Sequence, residues 1–193
     1  MTTEKQKFLA GQPYRIFDEE LAADEERARA LCREINRCTT DDAHKIGLIR
    51  QLFGSVGKNV YVQPDFHCDF GYNIHVGDNF ICNYNNVMLD IAPITIGDDC
   101  MFGPLVQLYS ASHPLDPERR RERIGEGSPI TIGNNVWIGG GAVVLPGVSI
   151  GDNTVIGANA TVTHSFGANL VVAGNPARVI KQIPQKDGSS SAS

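Results

Sequence analysis

His113 is the side chain in this sequence best suited to proton chemistry. It stands between Ser112 and Pro114 in residues 110–129, SASHPLDPERRRERIGEGSP, a polar, proline-marked stretch with four arginines. An imidazole titrates at about 6.5 when unperturbed, so it can take a proton and return it near neutral pH. The other histidines are His44, His67, His75 and His164, and none lies beside His113 in that stretch. Zinc chemistry needs converging ligands, so this spacing does not point to a metal centre.

Other reactive groups are scarce. The five cysteines are Cys32, Cys38, Cys68, Cys82 and Cys100. The number is odd and no pair is spaced CxxC, which indicates neither a disulfide framework nor a structural zinc site. They read as small buried thiols. The sequence has no GxSxG nucleophile elbow and no cysteine paired with a histidine motif, so a covalent intermediate is not expected. With 17 Lys and Arg against 22 Asp and Glu, the net charge of −5 excludes a general nucleic-acid binder. No apolar run approaches the roughly 18 residues needed to span a bilayer. Residues 1–10 are polar and lack an apolar signal core. These features predict a cytoplasmic protein that binds neither nucleic acid nor membrane.

The element that must hold His113 is a repeat. Ile132, Ile138, Val144, Ile150, Ile156 and Val162 recur every six residues, and Gly133, Gly139, Gly151 and Gly157 follow four of them. Val136, Ala142, Val148, Thr154 and Ala160 keep the same step. Earlier, Val76, Cys82 and Met88 hold it, and a two-residue slip resets it to Ile96, Phe102 and Leu108. Six is neither the helical 3.6 nor the strand period of 2. It means one short strand and one corner per repeat, stacked as a parallel β-helix. Gly77-Asp78-Asn79, Gly133-Asn134-Asn135 and Gly151-Asp152-Asn153 suit corners with unusual φ and ψ. Residues 110–129 are the single interruption, and a long excursion from a stiff stack implies function.

Before the repeat, Asp18 precedes Leu21, Ala28, Leu31 and Ile35 at near-helical spacing, and Asp41-Asp42 can cap a second pattern, Ile46, Ile49, Leu52 and Phe53. The reading is two or three short helices that pack onto the stack. The chain then divides into a helical segment, 1–56, a β-helix, 57–183, with its loop at 110–129, and a low-complexity tail, 184–193, expected to be disordered.

Together the step-six repeat, the SASHPLDP loop, ITIGNNVWIGGGAVVLPGVSIGDNTVIGANATVT, the ending VVAGNPARVI and the early YRIFDEEL resemble the maltose and galactoside O-acetyltransferases, members of the hexapeptide-repeat acyltransferases. The resemblance covers residues 4 to about 183. It implies an all-β solenoid: a left-handed parallel β-helix with a short N-terminal helical segment and one long extruded loop. It also implies a homotrimer with active sites between subunits, acetyl-CoA as donor, a small sugar as acceptor and no metal. His113 matches the catalytic histidine, the base that an alcohol needs to attack a thioester. Asn83, in ICNYNN, matches an asparagine near the thioester, where its amide can meet developing negative charge. Asn85 and Asn86 fit a corner or ladder role better, and Asp90 lies near the site.

On the donor side, Gly140 and Ala158 match positions whose backbone contacts the cofactor, and Thr163 and Arg178 match further contacts. Gly140 replaces a serine of the galactoside enzymes. Arg178 and Lys181 can face the phosphates of CoA, and His164 replaces a lysine. On the acceptor side the resemblance points to Asp18, Arg27 and Asp69, the last at a substrate-contacting serine position. Ile91 stands where the galactoside enzymes have a second acid. Glu126 is a candidate to orient His113, and residues 119–123 read as a solvated face. The expected reaction is direct transfer in a ternary complex to a sugar hydroxyl, most simply the 6-hydroxyl of glucose, maltose or a galactoside. Another hydroxyl acceptor and a non-catalytic scaffold are the alternatives.

Overall fold

The computed structural model describes residues 2–39 and 43–184. Expectations for Asp41-Asp42 and for residues 185–193 lie outside the described residues. The chain from Ser55 onward winds as a three-faced parallel β-helix. Its first face stacks Ser55–Val56, Ile74–Val76, Ile94–Ile96, Ile130–Ile132 and Ser149–Ile150. The second stacks His67–Cys68, Val87–Leu89, Gln107–Tyr109, Val143–Val144 and Thr161–Val162. The third runs from Tyr61–Val62 through Ile81–Cys82, Met101–Phe102, Trp137–Ile138 and Val155–Ile156 to Leu170–Gly174, where Ala177–Gln182 folds back antiparallel and closes the stack.

The step-six positions are the core. Val76, Cys82, Met88, Ile96, Phe102, Leu108, Ile132, Ile138, Val144, Ile150, Ile156 and Val162 all point inward and are buried. Each buried aliphatic side chain stabilises the stack by about 1.5–3 kcal/mol. At one corner, Asn59, Asn79, Asn135 and Asn153 take left-handed φ of 53° to 58°. Their amides link coil to coil, as from Asn79 Nδ2 to Asp99 Oδ1 at 2.7 Å. The glycine before each has a different purpose: a Cβ on Gly77 would stand 2.2 Å from Asp98 Oδ1.

The two-residue slip has a structural cause. Early coils are 20 residues long, against 18 and then 16 beyond residue 130. The extra residues sit at the corner between the second and first faces, at 69–73 and again at 90–93. The excursion 110–129 leaves from this same corner one coil later. It is not structureless. Ala111–Ser112 pairs antiparallel with Ile124–Gly127, and α4 (Pro117–Arg121), capped by Asp116, closes the turn.

The N-terminal segment forms three helices. They are α1 (Glu4–Leu9), α2 (Glu19–Arg37) and α3 (Ala43–Leu52). Of these α2 is long, 19 residues, and it buries Leu21, Ala28, Cys32 and Ile35, leaving Leu31 only partly covered. Between α1 and α2, Tyr14–Arg15 pairs with Ile124–Gly127, so the excursion's return strand lies in a three-stranded sheet. Phe8, Tyr14, Leu21 and Phe70 pack as a second core beneath it. No helix among the described residues is long and apolar enough to cross a membrane.

Candidate active site

The small sheet sets the imidazole of His113. Its Nδ1 lies 3.0 Å from the carbonyl of Ile124, which can only accept, so Nδ1 carries the proton and donates. Nε2 is left with its lone pair, the tautomer a general base requires. The carbonyl is fixed by its strand: Ile124 pairs with Arg15, and Ile16 N donates to the carbonyl of Arg123 at 3.1 Å. On the outgoing side, Arg120 Nη1 donates to the carbonyls of Pro114 at 3.2 Å and Leu115 at 3.0 Å. Glu126 does not hold the imidazole; its Oε1 pairs with Arg119 Nη2 at 3.2 Å. The orienting group is thus a main-chain carbonyl, which no side-chain motif could announce. His113 itself is exposed.

Below the excursion lies a cluster of acids. Asp90 is fully buried in the widened corner. Its Oδ1 accepts from the amides of Asp69 at 3.1 Å and Phe70 at 2.9 Å, and its Oδ2 from the amide of Asn73 at 3.3 Å. Burial raises its pKa, and the amides oppose the rise. Asp69 is part-buried, and burial, then Asp90 and Glu25, push its carboxyl up to about 7.

That shift has a consequence for stability. In the unfolded chain Asp69 has the ordinary aspartate value of about 3.9, and the fold pushes it up to about 7. The folded state therefore binds the proton more tightly between those values, and stability falls as pH rises through that window. The Asp69→Asn variant is expected to show a flatter stability curve from about pH 4 to 8 in urea unfolding. A slope equal to that of the wild type would refute this assignment.

Asp18 and Arg27 are engaged within the chain. Asp18 Oδ1 caps α2, accepting from Glu20 N and Leu21 N. Arg27 donates to the carbonyls of Gln51 at 3.0 Å and Phe70 at 3.3 Å, with its guanidinium 5.9 Å from the Tyr72 ring centroid. Arg27 thus holds α2 on α3 and the widened corner, while Asp18 starts the helix.

The remaining predicted residues divide between edges. Asn83, Gly140 and Ala158 stack along the edge between the third and second faces. Asn83 Oδ1 accepts from Tyr84 N at 2.8 Å, and among the described residues its Nδ2 makes no hydrogen bond. Asn85 takes a left-handed corner with φ 61°, and Asn86 is buried, donating to main-chain carbonyls. The amides of Gly140 and Ala158 likewise donate to nothing among the described residues. His113, Thr163 and His164 lie at the opposite edge of the second face. Arg178 and Lys181 are exposed on the closing strand. A single chain thus does not bring His113 and Asn83 to one edge.

Two family models match the chain: the maltose acetyltransferase hexapeptide capping motif over residues 7–57, and the bacterial transferase hexapeptide, six repeats, over 129–164. The galactoside O-acetyltransferase of Escherichia coli K12 is 40% identical over 94% of this chain and 90% of its own. The chain belongs to the maltose and galactoside O-acetyltransferase family. Its fold agrees. The maltose O-acetyltransferase of Clostridium difficile 630 superposes with a TM-score of 0.92 at 49% identity, covering 95% of this chain and 98% of the other. A hexapeptide-repeat acetyltransferase of Vibrio cholerae O1 biovar eltor, solved with acetyl-CoA, gives 0.88 at 41% identity, covering 95% and 100%. In this acetyltransferase the capping motif coincides with α1 to α3, and the six repeats with the coils after the excursion.

Proposed function

We propose that this acetyltransferase moves the acetyl group of acetyl-CoA to a sugar hydroxyl, the 6-hydroxyl of glucose, maltose or a galactoside, by direct transfer. The observation that carries this reading is the imidazole of His113, fixed by the Ile124 carbonyl with Nε2 open. Nε2 takes the proton of the attacking hydroxyl and returns it to the leaving sulfur. The unengaged Nδ2 of Asn83 donates to the oxygen that gains negative charge. Asp69 accepts hydrogen bonds from the sugar, while Asp18 and Arg27 position α2 beside it.

The donor fits the residues present. The free amides of Gly140 and Ala158 suit the amide carbonyls of a pantetheine arm. Arg178, Lys181, Thr163 and His164 supply charge and donors for its phosphates. Because Asn83, Gly140 and Ala158 lie on a different edge from His113, a complete site requires a neighbouring copy, and we propose a homotrimer. The faces support it. The third face turns Tyr61, Ile81, Met101 and Trp137 outward in one register, each exposed. The first face turns Ser55, His75, Thr95, Thr131 and Ser149 outward. An apolar stripe of this kind is a surface for self-association. The free thiols suit a reducing compartment, and we place the enzyme in the cytoplasm.

The test is thiol release from acetyl-CoA across a panel of sugars and non-sugar alcohols. Release with a hexose and none with its 6-deoxy form is expected. Equal release with both would remove the 6-hydroxyl from the proposal, and no release above background with any acceptor would leave a scaffold.

A further inference from the structure

Expected from the sequence as small buried thiols, two of the cysteines are brought together from 36 residues apart: Cys32 Sγ on α2 lies 3.7 Å from Cys68 Sγ on the first strand of the second face. They line a pocket with Arg29, Arg33, Asn36 and His67, which gives solvent a path to the pair. Arg29 and Arg33 pair with Glu25 and Glu26 at its rim. The backbones carrying the two sulfurs are held together. One turn along α2 from Cys32, Asn36 Oδ1 accepts from Phe66 N at 2.9 Å and its Nδ2 donates to Phe66 O at 3.0 Å. Roughly 1.6 Å of approach separates the thiols from disulfide bond length.

We propose that Cys32 and Cys68 form an oxidation site for peroxides, closing to a disulfide that staples the helical segment onto the β-helix. The thiolate of Cys32, hydrogen-bonded by the Cys68 thiol, attacks one oxygen of hydrogen peroxide. A sulfur–oxygen bond forms, the oxygen–oxygen bond breaks, and the departing hydroxide takes a proton to become water. Cys68 sulfur then attacks the sulfenic sulfur, a sulfur–sulfur bond forms, and the second oxygen leaves as water with the Cys68 proton. Two thiols are oxidised and one peroxide is reduced to two waters.

The test treats the full chain with hydrogen peroxide, alkylates it under denaturing conditions and maps the peptides by mass spectrometry. A Cys32–Cys68 linked peptide is expected, reversed by dithiothreitol and absent in Cys32→Ser and Cys68→Ser. The oxidised wild type should melt about 5–10 °C higher, the constraint of a closed loop on the unfolded chain, and treated Cys68→Ser should not. Three results would overturn the proposal: oxidation of Cys38 with Cys32 and Cys68 still alkylatable, linkage mainly to Cys38 or between chains, or sulfinic acid on either thiol without a link. The serine variants are near-isosteric, and their far-UV circular dichroism reports whether they fold.

Discussion

His113→Ala is expected to turn over about 10²–10⁴-fold more slowly than the wild type, the usual loss when a positioned general base is removed. The expected loss lies in kcat, because in the proposed reaction the imidazole acts on the proton in flight and contributes little to holding either substrate. Thiol release from acetyl-CoA measures it. Stability should not move: the ring is exposed and its hydrogen bond to the Ile124 carbonyl is one that solvent can replace. A folded variant with full turnover would take His113 out of the reaction.

Asp90→Ala has the second large effect, and it falls on the fold. The carboxylate is buried and accepts from the amides of Asp69, Phe70 and Asn73. Alanine leaves those donors without partners in a corner that excludes water. A buried group abandoned in this way costs about 2–5 kcal/mol, even after the relief of no longer burying a charge. Urea unfolding should show a lower midpoint, and acceptor KM should rise because Asp69 loses its anchor. Asp90→Asn keeps one acceptor oxygen and should fall between the two. An alanine variant as stable as the wild type would mean that the widened corner holds its shape by packing alone.

The β-helix was legible because its signal is a count: an aliphatic residue every six positions cannot serve a helix or a flat sheet. The two-residue slip at Ile96 was legible too, though not its meaning, a widened corner organised by Asp90. Asp18 was readable as a helix start, and its carboxylate caps α2. Other features left no mark. The Ile124 carbonyl that orients His113 belongs to the backbone. The pairing of Tyr14–Arg15 with the return strand joins residues more than 100 positions apart by main-chain bonds. The Cys32–Cys68 approach depends on how α2 lies across the first coil. The excursion reads as a loop because its helix is short and its strands are brief, one of them broken by two glycines.

Mixing two inactive variants tests the central claim most directly. His113→Ala and Asn83→Ala are purified separately, unfolded together in equal amounts, refolded and assayed for thiol release. If each site takes its histidine from one copy and its asparagine from the neighbour, the refolded mixture as a whole should recover about a quarter of the wild-type rate, the share of all sites that join two intact residues when copies assemble at random. A mixture as inactive as its components, with mixed assemblies demonstrated by native mass spectrometry, would contradict the account and return both residues to a site within one chain.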